Sequence, residues 1–227
     1  MSDHKIYRTP SAYGYPLLIK QLLNTLELRH PDQEIVYADL LRYTYRDFKK
    51  RIARLANLLT SLGVREGDTV AVLDWDSHRY LECFFAIPMI GAVLHTVNIR
   101  LSPDQILYTM NHAGDDIVLI NEEFVPLMGT ILSRVETVKD WVVISESGDS
   151  PESAIRFSGE YEALLGAQSE EYAFEDFDEE LRATIFYTTG TTGNPKGVYY
   201  SHRQIVLHTL GKGLAMGSPA EQGRFHD

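Results

Sequence analysis

The stretch "DTVAVLDWDSHRYLECFFAIPMIGAVLHTVN", residues 68–98, carries the alternation that decides the fold. Asp68 to Trp75 is a short apolar run with the composition of a buried strand. His78 to about Ile90 is longer, reads as a helix and stops at Gly91, and Ala92 to Asn98 is strand-like again. Downstream, Ser102 and Pro103 open another helix as N-cap and first-turn proline, running to about Ala113. "DIVLI" (116–120), a helix-like segment near 125–135 and "WVVIS" (141–145) continue the pattern. Strands alternating with helices, each buried run short, predict an α/β fold with a largely parallel sheet flanked by helices.

Upstream, "EIVY" (34–37) reads as a short strand. Thr44 then N-caps a helix with Asp47 in its first turn. Phe48, Ile52, Leu55, Leu59 and Leu62 repeat at spacings of four, three, four and three, one apolar stripe, before Gly63 ends it. The division predicted is about 1–65 for N-terminal strands and helix and about 66–227 for the α/β part. Residues 146–160, "ESGDSPESAIRFSGE", are a polar connection. Residues 169–180 carry seven acids among three aromatics, the pattern of a solvated face beside a packed strand rather than a metal site.

With 227 residues, 44% of them hydrophobic, the chain can bury a real core. Lys plus Arg is 21 against 32 Asp plus Glu, a net charge of −11, which argues against a broad nucleic-acid surface while leaving room for a local anion site. Cys83 is the only cysteine, so neither an intrachain disulfide nor a cysteine-based zinc site can form. Its neighbours in "YLECFFAIPMIGAVL" make it a packing residue. "MSDHKIYRTPSAYGY" lacks a signal-peptide core, and the apolar run Cys83 to Leu94 is shorter than the roughly 20 residues of a membrane span. These features predict a soluble, cytoplasmic protein.

The chemistry is concentrated in "ATIFYTTGTTGNPKGVYYSHR", residues 183–203. A glycine-rich loop is costly to order, so it calls for a compensating contact. Strand-like residues precede it (183–187) and follow it (197–201), and a helix begins only at about His202. A Walker loop is excluded: counted from Gly190, its second glycine falls on Pro195, and Lys196 is followed by Gly197 instead of Ser or Thr. A dinucleotide fingerprint fails as well, because Thr192 stands two residues after Gly190. Gly211, Gly213 and Gly217 have the wrong spacing and read as packing or a helix end.

What is left is a phosphate-binding composition. Gly190 and Gly193 let backbone N–H groups converge on an anion, with Asn194 and Pro195 completing the turn. Thr188, Thr189, Thr191 and Thr192 add hydroxyl donors, and Lys196 adds a mobile positive charge. Hydrogen bonds to a charged partner contribute roughly 1.5–3 kcal/mol each, so four or five offset the ordering cost.

"YTTGTTGNPKGVYYSH" (187–202) resembles the signature loop of the adenylate-forming, AMP-binding superfamily of acyl- and aryl-CoA synthetases, adenylation domains and beetle luciferases. Every position from Tyr187 to Val198 matches the pattern Tyr-Thr-Ser/Thr-Gly-Thr-Thr-Gly-x-Pro-Lys-Gly-Val. "TYRDF" (44–48), "GVREGDTVAVL" (63–73) and "GAVLHTVNIRLSPDQI" (91–106) look closest to bacterial medium- and long-chain fatty acid–CoA ligases. The resemblance implies an incomplete N-terminal domain of that fold and a ligase using ATP, Mg²⁺, a fatty acid and coenzyme A through an acyl-adenylate. It further implies that the backbone from Thr188 to Gly193 cradles phosphates, that Lys196 is catalytic and that Thr188 helps hold Mg²⁺. His202 and Arg203 match the family's His-Arg pair and are expected to be structural.

The family's downstream motifs, namely the acyl-pocket histidine, the magnesium-binding glutamate, the ribose-binding aspartate and the small C-terminal domain with its lysine, have no counterpart before Asp227. The expectation is therefore an N-terminal piece, inactive alone, whose striped helix (Tyr45–Leu62) is a candidate for having lost its partner and for recruiting another chain. Homodimers occur among related long-chain ligases. The alternatives are another adenylating enzyme, acting on an aryl or amino acid, and a non-catalytic nucleotide-binding fragment.

Overall fold

The computed structural model describes residues 7–189 and 193–216. Helix α1 (Ile19–Arg29) precedes an antiparallel hairpin of β1 (Glu34–Tyr37) and β2 (Leu41–Thr44), and α2 (Tyr45–Ser61) follows directly. Next come β3 (Thr69–Leu73), α3 (His78–Met89), β4 (Val93–Thr96), α4 (Pro103–Ala113) and β5 (Asp115–Asn121). The remainder is α5 (Val125–Gly129), β6 (Asp140–Ile144), β7 (Gly159–Glu160), α6 (Tyr161–Gly166), β8 (Arg182–Thr188), β9 (Lys196–Ser201) and α7 (His202–Met216). Strands β7-β6-β5-β3-β4-β8-β9 form one seven-stranded sheet, parallel throughout except for the antiparallel β8–β9 pair.

Period-two alternation builds a core on each face of this sheet. Val70 and Val72 point into one with Ile52, Leu55, Leu59 and Ile87; Ala71 and Leu73 point into the other with Ile106, Met110 and Met128. Both faces of β3 are thus covered, which explains its unbroken apolar run. The stripe on α2 is not left without a partner: Phe48, Ile52, Leu55 and Leu59 are all buried, against α3 and its neighbours in the first core. Thr44 and Asp47 close a reciprocal capping box at its start.

Four elements escape the sequence reading. Helix α1 carries no N-cap side chain, β2 is four residues of mixed polarity, and β7 with α6 lies where only a polar connection and its aftermath are read. The segment near 125–135 is a single helical turn flanked by tight turns, since Pro126 sits at the start of α5 and Gly129 at its end. In the acidic stretch 169–180 every acid but Glu179 is exposed while the three aromatics are half-buried, and the stretch is also tied down. Asn57 Nδ2 donates to the carbonyls of Ser169 and Glu171, and Lys20 and Arg54 pair with Asp176 and Glu170 at 2.7 and 2.8 Å. Gly211 and Gly213 lie within α7 with open space where a Cβ would stand, so neither is a packing glycine nor a helix end; Gly217 lies outside the described residues.

Candidate functional site

The glycine-rich loop connects β8 to β9 at the carboxyl ends of the parallel strands. Tyr187 lies opposite Gly197 and Thr188 opposite Lys196, so the last threonine of one strand and the lysine that begins the next share the mouth of the hairpin. Thr188, Thr189, Gly193, Asn194 and Lys196 are exposed, whereas Pro195 is buried. Gly193 has φ +95°, a backbone region in which an L side chain is strained. Gly190, Thr191 and Thr192 lie outside the described residues. Lys196 makes no ion pair with another described residue.

An open cleft of about 400 Å³ adjoins this mouth, lined among others by Asp74, Tyr80, Asn98, Arg100, Phe186 and Tyr187. Its position follows from the topology. From β3 the chain leaves along α3 on one face, and from β4 it leaves along α4 on the other, so a crevice opens between the diverging connections. Asp74 fixes one wall: it accepts hydrogen bonds from Ser77 Oγ and, at 2.8 Å, from Asn121 Nδ2. Burial pushes the Asp74 carboxyl above the ordinary range, while those two hydrogen bonds pull the other way. Neither Asp74 nor Asn121 stands out in the sequence, because each is one polar residue ending an apolar strand. Among the described residues no group of three or more His, Cys, Asp or Glu is placed to hold a metal ion.

A family model described as AMP-binding enzyme matches residues 26–221. The chain belongs to the AMP-binding enzyme family. A long-chain-fatty-acid–CoA ligase of Thermus thermophilus is 42% identical over 177 residues, which is 78% of this chain and 31% of that protein. A medium-chain-fatty-acid–CoA ligase of Ectopseudomonas oleovorans is 34% identical over 198 residues, covering 86% of this chain and 36% of the relative. The chain thus spans about a third of the length of the curated relatives it matches. Among solved structures, an anthranilate CoA ligase in complex with anthranoyl-AMP superposes with a TM-score of 0.75 at 25% identity, over 83% of this chain and 36% of that one. A Mycobacterium tuberculosis fatty acyl CoA synthetase gives 0.69 at 24% identity over 82% and 35%, which establishes the shared fold. No helix among the described residues is long and apolar enough to cross a membrane.

His202 and Arg203 are structural, not part of the cleft. Arg203 pairs with Glu179 and Glu180. His202 is fully buried at the start of α7; its Nδ1 accepts the Ile19 N–H at 3.3 Å, and its ring meets Phe177 edge-on. Burial pushes its pKa down to about 4, against an opposing pull from the Pro88 backbone. Protonation would place a hydrogen on Nδ1 and break the contact with α1. The unfolded chain therefore binds the proton more readily than the folded one. Stability tied to neutral His202 is complete above about pH 6.5 and lost as pH falls toward 4. Urea unfolding at pH 7.5 and pH 5 is expected to show the parent losing about 2 kcal/mol more than His202→Asn over that interval. Equal losses would remove His202 from the acid response.

Proposed function

We propose that this chain serves an ATP-dependent fatty acid–CoA ligase that works through an acyl-adenylate, and that it supplies the loop holding the β- and γ-phosphates. One observation carries the reading: the residues matching the superfamily signature join a hairpin in which Thr188 and Lys196 stand opposite each other at one mouth beside the cleft. A carboxylate oxygen attacks the α-phosphorus, the bond to the bridging oxygen of the β-phosphate breaks, and pyrophosphate departs with the bonding pair. The thiol of coenzyme A then attacks the acyl carbon and releases AMP. Thr188 to Gly193 would present N–H and hydroxyl donors to the departing group, with Asn194 and Pro195 shaping the turn and Lys196 neutralising its charge.

The Thr188 hydroxyl would contribute one oxygen to Mg²⁺ carried on the phosphates. The same reading places the protein in the cytoplasm, as a candidate homodimer, with this stretch inert for turnover by itself. The fatty acid is favoured over an aryl or amino acid by the 42% identical relative, whereas the anthranilate ligase favours the aryl reading through fold at lower identity.

Titration of the chain with ATP is expected to give binding that inorganic pyrophosphate competes away, without fatty-acid-dependent ATP–pyrophosphate exchange. A polypeptide of the relatives' full length is expected to catalyse that exchange with fatty acids in preference to benzoate. A chain that binds neither ATP nor pyrophosphate would sink the proposal.

A further inference from the structure

Below the loop, the ring of Tyr187 is gripped from several elements at once. Its centroid lies 5.2 Å from that of His95 on β4, and its hydroxyl is 2.7 Å from Nδ1 of His112 in the last turn of α4. His112 in turn stacks on Tyr108 with centroids 5.4 Å apart. From β9, the position a Cβ on Gly197 would take is 3.4 Å from Cε1 and Cζ of the same ring, so the small residue there lets the strand pass closely over it. His95 is itself held: its Nδ1 is 2.9 Å from both carboxylate oxygens of Asp115, and both side chains are fully buried.

A buried His–Asp pair is a costly way to fill a core, since apolar residues of the same volume would give equal or better stability. What this arrangement provides is orientation. Tyr187 is the residue before Thr188, and Gly197, its partner across the hairpin, is the residue after Lys196. The gripped pair is thus the last rung below the two side chains at the mouth. Burial pushes the Tyr187 phenol above its ordinary value, so at neutral pH its hydroxyl keeps the proton that the contact with His112 Nδ1 uses.

We propose that His95 with Asp115, and His112, are positioning residues that fix Tyr187 and thereby hold Thr188 and Lys196 in register for a bound triphosphate tail. The inference rests on the phosphate-loop reading above and deepens it. Groups that act on a reacting centre through a packed neighbour matter because misplacement by about 1 Å costs much of the benefit of preorganisation.

The test uses the chain itself, with inorganic pyrophosphate as probe. His112 is exposed, so His112→Ala removes the bond to Tyr187 without opening the core, and His112→Asn places Oδ1 where Nδ1 stood. In His112→Ala, amide exchange at Thr188, Thr189, Lys196 and Gly197 is expected to quicken, and pyrophosphate affinity to fall, each on the order of tenfold. The urea midpoint should hold, and His112→Asn should restore both readouts. Tyr187→Phe should reproduce the loss, and adding His112→Ala to it should change nothing further. Unchanged exchange in His112→Ala overturns the clamp. Faster exchange with unchanged pyrophosphate affinity overturns the positioning role. A parent chain that binds no pyrophosphate overturns the phosphate-loop reading instead, by a measurement independent of the exchange.

Discussion

Lys196→Ala is expected to slow acyl-adenylate formation by about 10²–10³ in a polypeptide of the relatives' full length, with the folding equilibrium almost untouched. The asymmetry comes from where the lysine stands. It is exposed, begins an edge strand and shares no ion pair with another described residue, so truncating it removes little that the folded state uses. Surface changes of this kind stay within about 0.5 kcal/mol. The transition state is different, because the bond to pyrophosphate is breaking and negative charge gathers on the departing oxygens. A fixed ammonium group beside them acts where charge develops, not where substrate is merely held. Single-turnover measurement of adenylate therefore separates the two roles: kcat should fall far more than ATP affinity. Lys196→Arg keeps the charge but spreads it over a planar fork, and is expected to recover only part of the rate. Adenylate formed by Lys196→Ala at the parent rate would remove the lysine from the chemistry.

The sequence disclosed the layered fold because local signals and burial agreed there. The start of α4 follows from Ser102 and Pro103, and the structure places the helix at Pro103–Ala113 with a capping box at its start and a left-handed Gly114 at its end. β3 is legible because both its faces are buried and no polar residue interrupts it. By contrast, α1 has no capping side chain; Ile19, Leu22, Leu23 and Leu26 do recur at helical spacing, but over only 11 residues, so its helicity depends on packing Leu23 and Ile19 into the core built by α2 and α3. At the site, Lys196 and the threonines are legible because the loop composition has few other uses. Asp74, His95, Asp115 and His112 are not: Asp115 reads as one of two acids, with Asp116, before an apolar strand, and the others are single polar residues in apolar or amphipathic surroundings. What gives them meaning is strand order, which sets β4 between β3 and β8 and brings the end of α4 to Tyr187. Long-range register of that kind is absent from any short window of sequence.

Arg51→Ala is expected to destabilise the chain by about 3–5 kcal/mol, because it removes one partner from a largely buried ion-pair network. Arg51 on α2 reaches Glu82 on α3 at 2.6 Å and Glu162 on α6 at 2.8 Å. Glu82 has no exposed surface, and its other contacts are the hydroxyls of Tyr161 at 2.8 Å and Tyr43 at 3.4 Å. Without the guanidinium, a buried carboxylate would keep two neutral donors, too few to replace the water it left behind. Replacing both ends, Arg51→Met with Glu82→Met, is expected to recover part of the loss, since no unpaired buried charge then remains. The pH dependence has a definite sign. Burial pushes the Glu162 carboxyl up, but the nearby His78 ring, 3.6 Å away, and hydrogen bonds from Arg51 and Arg79 outweigh it and hold the group well below the usual carboxylate range. Its stabilisation is present above the unfolded value of 4.5 and disappears as pH falls further, so the gap between parent and Arg51→Ala should narrow in acid. The consequence extends to the cleft, because Arg79 at the start of α3 binds the same Glu162 at 2.9 Å, and α3 begins directly after the Asp74–Ser77 wall. A loss under about 1 kcal/mol in urea unfolding would mean that the network behaves as a solvated surface pair and does not anchor that wall.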